Sequence, residues 1–477
     1  MAANTIYDVI VIGGGPAGLF SAAAACGAGA RRVLVLERDD TTGGILNQCI
    51  HSGFGLLMFK ELLTGPEYAE RALDMLANTG IEIRTGTMVL SVSADRTVTA
   101  INPRDGYMEL RARAIILCTG CRERTAGAIG LAGSRPAGIF TAGAAQRLIN
   151  VDGYMVGRRV CILGSGDIGL IMARRMTLEG AVVPAVFELL PYSGGLRRNI
   201  AQCLDDFNIP LYLSHTVTSV VGRERVEGVW VSQVGPDLKP IPGTENLWEC
   251  DTLLLSVGLI PENELSRAAG IEIDPRNGGV AVYENRETSI PGIFAAGNAV
   301  HVHDLADFAS AEAVIAGRGA AAFAAQEAAK EQSAVAERAV SKEQACGLAE
   351  AARDGQAVGG IAKQAATAEH VGERADNVVN IKPGDGIIYT VPQKIRPSNV
   401  DGPVKLDNVH IEKKCDVFFR IRSTFENAVI DINGEGGAMQ LERGHMTPGE
   451  MARVSIPKKF LENSENITIK VSNRSDN

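Results

Sequence analysis

The first third of the chain alternates short apolar runs with segments of small residues, a pattern that predicts strands followed by helices. Asp8 to Ile12 read DVIVI, a β-branched run typical of a strand buried on both faces. The Ala-rich segment from Pro16 to Gly29 predicts a helix, and Val33 to Leu36 predict a second buried strand. Together they predict a βαβ unit, the right-handed building block of parallel sheets.

The same pattern starts again at Val160. The run Val160 to Leu163 is followed by a glycine turn, a helical segment around Leu170 to Leu178, and a strand through Val186 and Phe187. Two such starts predict an α/β fold with two Rossmann-like doubly wound domains.

The pattern changes twice in the rest of the chain. Between about 324 and 375 it is rich in Ala, Glu, Lys, Gln and Gly, which predicts a helix-rich linker. From about 377, short β-rich segments alternate with Gly, Pro, Asn and Asp turns, which predicts an all-β, sandwich-like module. Its expected strands are 386–391, 416–421, 428–432, 453–456 and 467–471.

Composition narrows the class of protein. The chain has 477 residues, of which 45% are hydrophobic and 22% charged, as expected of a globular protein with several cores. The net charge is −9 without a basic cluster, so nucleic acid is not an expected partner. We see no secretory signal and no apolar stretch that would span a membrane. Nine cysteines without metal-ligand or disulfide spacing fit the cytoplasm, and we expect no metal.

The first glycine motif lies between the first strand and the first helix, the context in which G-x-G-x-x-G binds a dinucleotide. Gly13 permits a tight turn, Gly15 lets a pyrophosphate approach the backbone, and Gly18 lets helix and strand pack closely. Glu37 ends the second strand, where a carboxylate accepts hydrogen bonds from a ribose. A turn used only for packing is the alternative. The expected cofactor-binding residues here are Gly13, Gly15, Pro16, Ala17, Gly18, Glu37 and Arg38.

The second glycine motif repeats this arrangement. Glu188 follows Gly169 at the same spacing that separates Glu37 from Gly18. A carboxylate at that place repels a 2′-phosphate, which favours NAD(H) over NADP(H), although Arg197 and Arg198 could still reach a phosphate. The expected cofactor-binding residues are Gly164, Gly166, Asp167, Ile168, Gly169 and Glu188.

With these two motifs the chain resembles the two-dinucleotide-domain flavoproteins of the disulfide reductase-like class. Thr119-Gly120 resembles the short turn that closes their FAD domain, and Thr288 to Asn298 resembles their second FAD motif. That family usually has Asp where this chain has Asn298. The resemblance implies FAD and NAD as cofactors, with an NAD domain inserted into a split FAD domain. It adds Gly44, Thr119, Gly120, Gly258, Gly297 and Asn298 to the expected cofactor-binding residues.

The expected organisation has five parts. Residues 1–150 and 286–330 form the FAD-binding domain, 151–285 the NAD(H)-binding domain, 331–375 the linker, and 376–477 the β module. Docking or oligomerisation is our hypothesis for the β module.

Two segments resemble a narrower branch of the family. Gly43 to Gly55 and Gly194 to Phe207 resemble NAD/FAD oxidoreductase subunits that occur with glycerol-3-phosphate dehydrogenase-like flavoproteins and with sarcosine oxidase or amino-acid dehydrogenase complexes. This likeness implies an oligomer with a partner flavoprotein or electron-transfer subunit.

Cys49 and His51 are the candidate catalytic residues. Disulfide reductases place a redox Cys pair just after a similar Gly-Gly, but here Ile45 and Leu46 leave only the later Cys. Cys49 could lie near the flavin as a thiolate, with His51 lowering its pKa. The alternative is a buried Cys beside a structural His at the cofactor wall.

Two other groups of residues have the spacing of a redox pair and of a metal site. Cys118 and Cys121 fit C-x-x-C, but redox pairs of that kind open helices, whereas these follow a strand, so coincidence is favoured. His301, His303, Asp304 and Asp307 could suggest a metal, but they precede a helix predicted from Phe308 to Ala325. Capping by Asp307, and a helix N-terminus near the flavin edge, are favoured over a metal.

The sequence therefore predicts an FAD-dependent oxidoreductase that passes hydride between NAD(H) and FAD. We expect it to act as one subunit of a dehydrogenase complex whose partner oxidises a hydroxy acid, polyol phosphate or amine. A stand-alone NADH oxidase, a disulfide reductase and a non-enzymatic nucleotide-binding scaffold are the alternatives.

Overall fold

A computed structural model describes residues 6–353, 377–400 and 414–474 of the chain. Within these ranges none of the helices has an apolar stretch long enough to cross a bilayer. The helices are α1 Pro16–Gly27, α2 Gly65–Asp74, α3 Ala142–Asn150, α4 Asp167–Leu178, α5 Arg197–Cys203, α6 Glu264–Ala268, α7 Ala306–Arg353 and α8 Lys458–Glu462.

The first unit is built on one sheet with helices α1 and α7 against one face. The strand Ile6–Ile12 lies at its centre, parallel both to Val33–Leu36 and to the long strand Gly106–Leu117. Further strands extend the sheet on both sides: Glu82–Arg84, Thr97–Asn102, Met88–Val92 and Ile293–Ala295. A short hairpin, Ser52–Phe54 with Leu63–Thr64, lies apart from this sheet. The alternating central strand serves two cores, with Val9 and Val11 on the helix side and Ile10 on the other.

The second unit has a parallel sheet of five strands. In spatial order these are Ile139–Thr141, Thr252–Leu255, Val160–Leu163, Val186–Glu188 and Leu211–Leu213. A second sheet, packed against it, contains Ala132–Gly133, His215–Gly222, Val226–Gln233 and Asn246–Glu249. Fully buried apolar residues of the strand Val160–Leu163 alternate between the two cores on either side.

Strand pairing divides the two units at other places than residues 151 and 286. Ile139–Thr141 pairs in the second sheet, and helix α3 packs in the core of the second unit. Residues Ile271, Val280 and Val282 already belong to a core of the first unit. Leu259–Pro261 and Cys121–Glu123 form an antiparallel ribbon where the chain passes between the units. The boundaries differ from the expected ones because tertiary packing decides which sheet a short strand joins, and the sequence of such a strand carries no signal for that choice.

The C-terminal module has two sheets around its own core. One contains Lys394–Ile395, Val379–Pro383, Asn466–Asn473, Phe425–Gly434 and Gly437–Met446, and the other Ile387–Val391, Lys414–Ile421 and Ala452–Pro457. The sequence missed Val379–Pro383, Lys394–Ile395 and Gly437–Met446. The last is an edge strand of mostly exposed residues, so it lacks the apolar alternation that marks a half-buried strand.

Helix α7 is longer than the sequence indicated. It begins at Ala306 rather than Phe308 and continues to Arg353, into the segment expected to be a linker. The rest of that expected linker, 354–375, lies outside the described residues.

The module packs directly on the first unit. Tyr389 and Val391 belong to the same buried core as Ile10 of the central strand. The side chain of Gln393 accepts a hydrogen bond from the Val282 nitrogen at 3.0 Å and donates to Asp274 at 3.2 Å. A backbone hydrogen bond from the Gln393 N–H to the Val282 carbonyl, at 3.2 Å, accompanies this side-chain contact.

Two further contacts reach the second unit. A Cβ placed on Gly449 of the module would lie 3.1 Å from the carbonyl oxygen of Gly194 in the second unit. A Cβ placed on Gly53 of the first unit would lie 3.2 Å from a guanidinium nitrogen of Arg198. The loop after the strand Val186–Glu188 is therefore in contact with both its neighbours.

The Gln393 contact predicts a stability loss. Gln393→Ala leaves the buried Val282 N–H without this partner, which costs about 1–3 kcal/mol, whereas the Asp274 carboxylate keeps its hydrogen bonds from Arg276. We expect a lower midpoint in chemical denaturation followed by circular dichroism. Lys239→Ala, which removes an exposed pair with Asp237 at 3.9 Å, is the matched control and should leave the midpoint unchanged. Equal midpoints for the two variants would contradict the prediction.

Candidate functional site

In the first glycine turn, only one of the glycines has room for a side chain. Gly13 has φ +104°, and a Cβ there would lie 2.3 Å from the carbonyl oxygen of Cys118. A Cβ on Gly18 would lie 1.8 Å from the carbonyl oxygen of Gly13, so both glycines are required by packing. Gly15 differs, because the nearest atom to its Cβ position is the Gly44 Cα at 4.0 Å. The space beside Gly15 is therefore open, as close approach of a phosphate requires.

Helix α1 begins directly at this opening. Its N-cap residue is Gly15, so no side chain caps the helix, and Pro16 is its first residue. The first N–H groups of a helix have no partner within the helix, so those that follow Pro16, starting with Ala17, are available to an anion.

Glu37 lies at the end of the second strand and is 6% exposed. One carboxylate oxygen accepts the Gly14 N–H at 2.6 Å, and the other accepts the Asp39 N–H at 2.8 Å. A carboxylate oxygen accepts more than one hydrogen bond, so Glu37 can still bind ribose hydroxyls. A pocket of about 230 Å³ beside it is lined by Arg38, Asp39, Asp40, Thr41, Gly44, Asn47, Gln48, Arg147 and Val151.

The second glycine turn has the same internal contacts. A Cβ on Gly164, at φ +98°, would lie 2.0 Å from the carbonyl oxygen of Ser256, and one on Gly169 would lie 2.6 Å from that of Gly164. Glu188 accepts the Ser165 N–H at 2.8 Å and the Leu190 N–H at 3.0 Å, which matches the two backbone contacts of Glu37. Its one addition is the Ser165 hydroxyl, which donates at 2.6 Å.

Other predicted residues of this turn have structural partners. Gly166 is the N-cap of helix α4. Asp167 begins that helix, and its carboxylate accepts the Leu196 N–H at 2.8 Å and the Asn199 amide at 2.6 Å. Ile168 packs against the core of the second unit. Asp167 therefore fixes the neighbouring helix α5.

Thr119, Gly120 and Gly258 line the passage between the units. The Thr119 hydroxyl donates to the Glu262 carbonyl at 2.6 Å. Gly120 has φ +73° with no atom within 4 Å of its Cβ position, and Gly258 has φ +101°. The two positive φ values need glycine, and the space beside Gly120 is open to a ligand.

Gly297 and Asn298 follow the strand Ile293–Ala295 and face helix α1. Gly297 has φ +72°, and a Cβ there would lie 2.8 Å from the Ala17 Cβ. The Asn298 amide donates to the Cys121 sulfur at 3.3 Å, and its oxygen accepts the His303 N–H at 3.0 Å. The second expected FAD motif thus meets the first at the N-terminus of α1.

Cys49 and His51 lie in one loop with separate contacts. The Cys49 thiol donates to the Ile45 carbonyl at 3.3 Å and lies 3.7 Å from the Gln146 amide oxygen. His51 contacts the Ser52 carbonyl at 3.1 Å. Burial raises the pKa of Cys49 to about 12, and burial lowers the pKa of His51. These surroundings favour a neutral thiol over the hypothesised thiolate.

The C-x-x-C thiols are also neutral at physiological pH. Burial raises the pKa of Cys118 to about 12, and burial raises that of Cys121 as well. Cys118 lies 3.7 Å from the Ser21 hydroxyl in the core, and both cysteines are free thiols.

Neither of the two acidic residues at the start of α7 caps the helix. Asp307 lies within the first turn of the helix, and its carboxylate accepts the N–H groups of Gly55 at 3.1 Å and Met58 at 2.8 Å. The capping prediction is wrong, because the carboxylate of Asp307 binds the backbone of the loop that contains Gly55 and Met58 and not the backbone of its own helix. Asp304 accepts the Met451 N–H at 2.6 Å and pairs with Arg420 at 2.5 Å.

His301, His303 and Glu312 form a buried cluster whose ligand-type atoms lie within 4.8 Å of one another. Glu312 already pairs with the buried Arg286 at 2.9 Å and accepts the Gly297 N–H at 2.9 Å with its other oxygen. A divalent cation would share this water-poor site with the guanidinium of Arg286, so charge disfavours a metal here. Arg286 lowers the pKa of Glu312 against the opposing effect of burial.

Sequence reasoning missed Arg286, Glu312 and the module residues Tyr389, Phe418 and Arg420. Glu312 lies inside a helix and Arg286 in a turn, where a charged residue normally faces solvent. Only an unusual charge within an Ala-rich helix could have pointed to Glu312.

Comparison with known proteins identifies the family. Residues 7–313 match the pyridine nucleotide-disulphide oxidoreductase family. The chain belongs to this family. It is therefore an oxidoreductase of a family that uses FAD and NAD(P)H.

Individual relatives cover the same part of the chain. Thioredoxin reductase of Listeria innocua is 27% identical over 304 residues, which are 61% of this chain and 86% of that protein. An opine oxidase subunit of Rhizobium meliloti is 25% identical over 323 residues, 61% of this chain and 58% of the relative. The crystal structure of T. acidophilum thioredoxin reductase has a TM-score of 0.54 and 27% identity, covering 68% of this chain and 99% of that one.

The first turn fits FAD. Gly15 leaves room beside the uncapped N-terminus of α1, Gly44 faces it, and Glu37 lies at the ribose position. These residues would hold the pyrophosphate and ribose.

The opening at Gly15 predicts a specific loss of flavin. Gly15→Ala adds a methyl group that the protein accommodates but a bound pyrophosphate does not. We expect FAD affinity to fall roughly tenfold or more, the effect of about 1.4 kcal/mol, with an unchanged melting temperature. The ratio of flavin to protein absorbance measures it. Gly27→Ala, at the other end of α1 with no atom within 4 Å, is the control, and full flavin content in Gly15→Ala would refute the assignment.

The raised pKa of Cys49 predicts slow alkylation at neutral pH. Below its pKa of about 12, the thiolate fraction rises about tenfold per pH unit without levelling off. The iodoacetamide reaction rate of the native protein, with Cys49→Ser subtracted, should therefore keep rising from pH 7 to pH 10. A plateau near pH 7 would instead establish a reactive thiolate.

Proposed function

We propose that this chain passes hydride between NAD(H) and FAD as one subunit of a dehydrogenase complex. When bound, FAD supplies the hydride chemistry, and the protein supplies orientation and electrostatics. The cytoplasm is the proposed location, because the described cysteines are free thiols.

The carboxylate of Glu188 is the observation that carries the choice of NAD(H). It is 8% exposed, and backbone N–H groups hold it at the end of the second strand of its unit. A carboxylate so placed accepts hydrogen bonds from a free 2′-hydroxyl and repels a 2′-phosphate.

The thiols support a partner protein as the source or destination of the electrons. Three described cysteines lie in segments that carry expected FAD-binding residues, and burial raises the pKa of each of them: Cys49, Cys118 and Cys121. An efficient dithiol relay needs a thiolate, so these residues are poorly suited to one. The Rhizobium meliloti relative is, by its name, one subunit of an opine oxidase. The partner's substrate would be a hydroxy acid, polyol phosphate or amine.

Two variants separate the two nucleotide sites. Glu188→Gln should reduce the preference for NADH over NADPH roughly tenfold, since repulsion of about 1.4 kcal/mol is removed. Ser165→Ala loses a hydrogen bond of the same turn but keeps the carboxylate, so it should keep the preference. Flavin bleaching by NADH or NADPH under anaerobic conditions measures both. If the wild type prefers NADPH, or Ser165→Ala behaves like Glu188→Gln, the assignment of NAD(H) fails.

The proposed role in a complex is tested by comparing the isolated chain with the chain plus its partner. NADH should bleach the flavin without a partner, whereas turnover with oxygen should be slow, and turnover with the partner's substrate should require the co-purifying flavoprotein. Rapid oxygen consumption by the chain alone would favour a stand-alone NADH oxidase and overturn the proposed role in a complex.

A disulfide reductase is the second candidate function, favoured by the family and by the likeness to thioredoxin reductases. It requires electrons to pass from flavin to a thiol pair and then to a disulfide substrate. We expect NADH-dependent reduction of a small aromatic disulfide to be slow and unchanged by Cys118→Ser or Cys121→Ser. A fast reaction abolished by both substitutions would establish this function in place of the first.

A further inference from the structure

The side chain of Asn298 has to be held in one orientation, whereas the aspartate that the family usually has at this position does not. The two oxygens of an aspartate are equivalent, but an asparagine has one donor end and one acceptor end. In this chain the acceptor end points to His303 and the donor end points to Cys121. Only one Nδ2 hydrogen is needed for Cys121, so the other is available to the cofactor.

His303 supplies two contacts that fix this orientation. Its backbone N–H donates to Asn298 Oδ1 at 3.0 Å, which defines that atom as the oxygen because a peptide nitrogen only donates. Its ring Nδ1 lies 3.3 Å from the same oxygen, so the contact is attractive only when Nδ1 carries a hydrogen. The ring tautomer and the amide orientation are thus linked.

The ring has a second neighbour on its other side, and that neighbour has shorter contacts of its own. His303 Nε2 lies 3.4 Å from Glu312, whose oxygens accept Arg286 and the Gly297 N–H, each at 2.9 Å. Burial, together with His301, lowers the pKa of His303 to about 3, so the ring is neutral and has a single N–H. That hydrogen serves either Asn298 through Nδ1 or Glu312 through Nε2, and only the Nδ1–H form adds a second contact to Asn298.

The β module holds the loop that carries His303. Arg420 pairs with Asp304, the next residue, at 2.5 Å, and also donates to the Val302 carbonyl at 3.5 Å. The Met451 N–H takes the second oxygen of Asp304 at 2.6 Å. Tyr389 and Phe418 have ring centroids 6.2 and 6.3 Å from that of His301, which is 1% exposed. Module residues therefore enclose both ends of the loop.

We propose that the β module reaches the cofactor site through this loop: Arg420 holds Asp304, and His303, in its Nδ1–H form, is a positioning residue for the amide of Asn298. This inference rests on the proposed contact of Asn298 with FAD. It gives the module a role within the chain, in contrast to the docking or oligomerisation expected from the sequence.

Two substitutions at His303 separate its two nitrogens. In His303→Asn the new amide nitrogen takes the place of Nδ1, whereas in His303→Gln it takes the place of Nε2. We expect His303→Gln to weaken FAD binding about fivefold, the effect of one neutral hydrogen bond, and His303→Asn to stay within about twofold of the wild type. The dissociation constant of FAD, from flavin fluorescence quenching on the deflavinated full-length chain, and the flavin midpoint potential are the measurements.

The module link has its own pair of variants. Arg420→Ala releases Asp304 and should weaken FAD binding in the same direction as His303→Gln, with Arg420→Lys intermediate. Arg453→Ala removes an exposed pair of the same module, with Asp416 at 3.4 Å, and should have no effect. Melting temperatures identify any variant that fails to fold, in which case Arg420→Lys decides.

Asn298→Ala separates failure of the inference from failure of the proposed site. If Asn298→Ala leaves the dissociation constant and the midpoint potential unchanged, Asn298 does not contact FAD and the proposed site is wrong there. If Asn298→Ala weakens binding but the two His303 variants behave alike, or Arg420→Ala behaves like Arg453→Ala, the inference is overturned.

Discussion

A buried carboxylate that binds the backbone of a glycine turn sets the geometry of both nucleotide-binding units. In each unit the acid at the end of the second strand accepts the N–H of the second turn residue, Gly14 for Glu37 and Ser165 for Glu188. This contact ties the end of the second strand to the glycine turn from which the preceding helix starts. Because the turn is then too tight for most side chains, glycine at Gly13 and Gly164 is a condition of the fold as well as of binding.

The polar interior behind the first turn is organised around a second carboxylate. Glu312 of helix α7 pairs with the guanidinium of Arg286 and accepts the N–H of Gly297. One carboxylate therefore links the helix to the turn of Arg286 and to the segment that follows the strand Ile293–Ala295. Both charged groups are almost fully buried, where an unpaired charge would be strongly destabilising. Burial keeps the ring of His303 beside this pair neutral, and the ring of His301 packs against those of Tyr389 and Phe418.

Local patterns predicted the parts of the molecule that local physics determines. The runs at Asp8 and Val160, the two glycine turns and the acids Glu37 and Glu188 are set by short-range sterics and by strand burial, which a sequence displays. Asp307 and Asp304 looked like helix-terminal acids, yet each binds a segment far away in the chain. Arg420 and Arg286 gave no signal, because their function comes from partners brought together by tertiary packing. The redox pattern of Cys118 and Cys121 was a matter of spacing alone, and burial decides their chemistry.

The loop after Val186–Glu188 touches the rest of the molecule at two glycines, and this limits how the units can move. Arg198 rests on Gly53 of the first unit, and Gly194 rests on Gly449 of the β module. The antiparallel ribbon of Cys121–Glu123 and Leu259–Pro261 is a further link, where the chain passes between the two units. Separation of the second unit from its neighbours therefore also breaks packing at the β module, so the module adds to the cost of parting the two nucleotide-binding units.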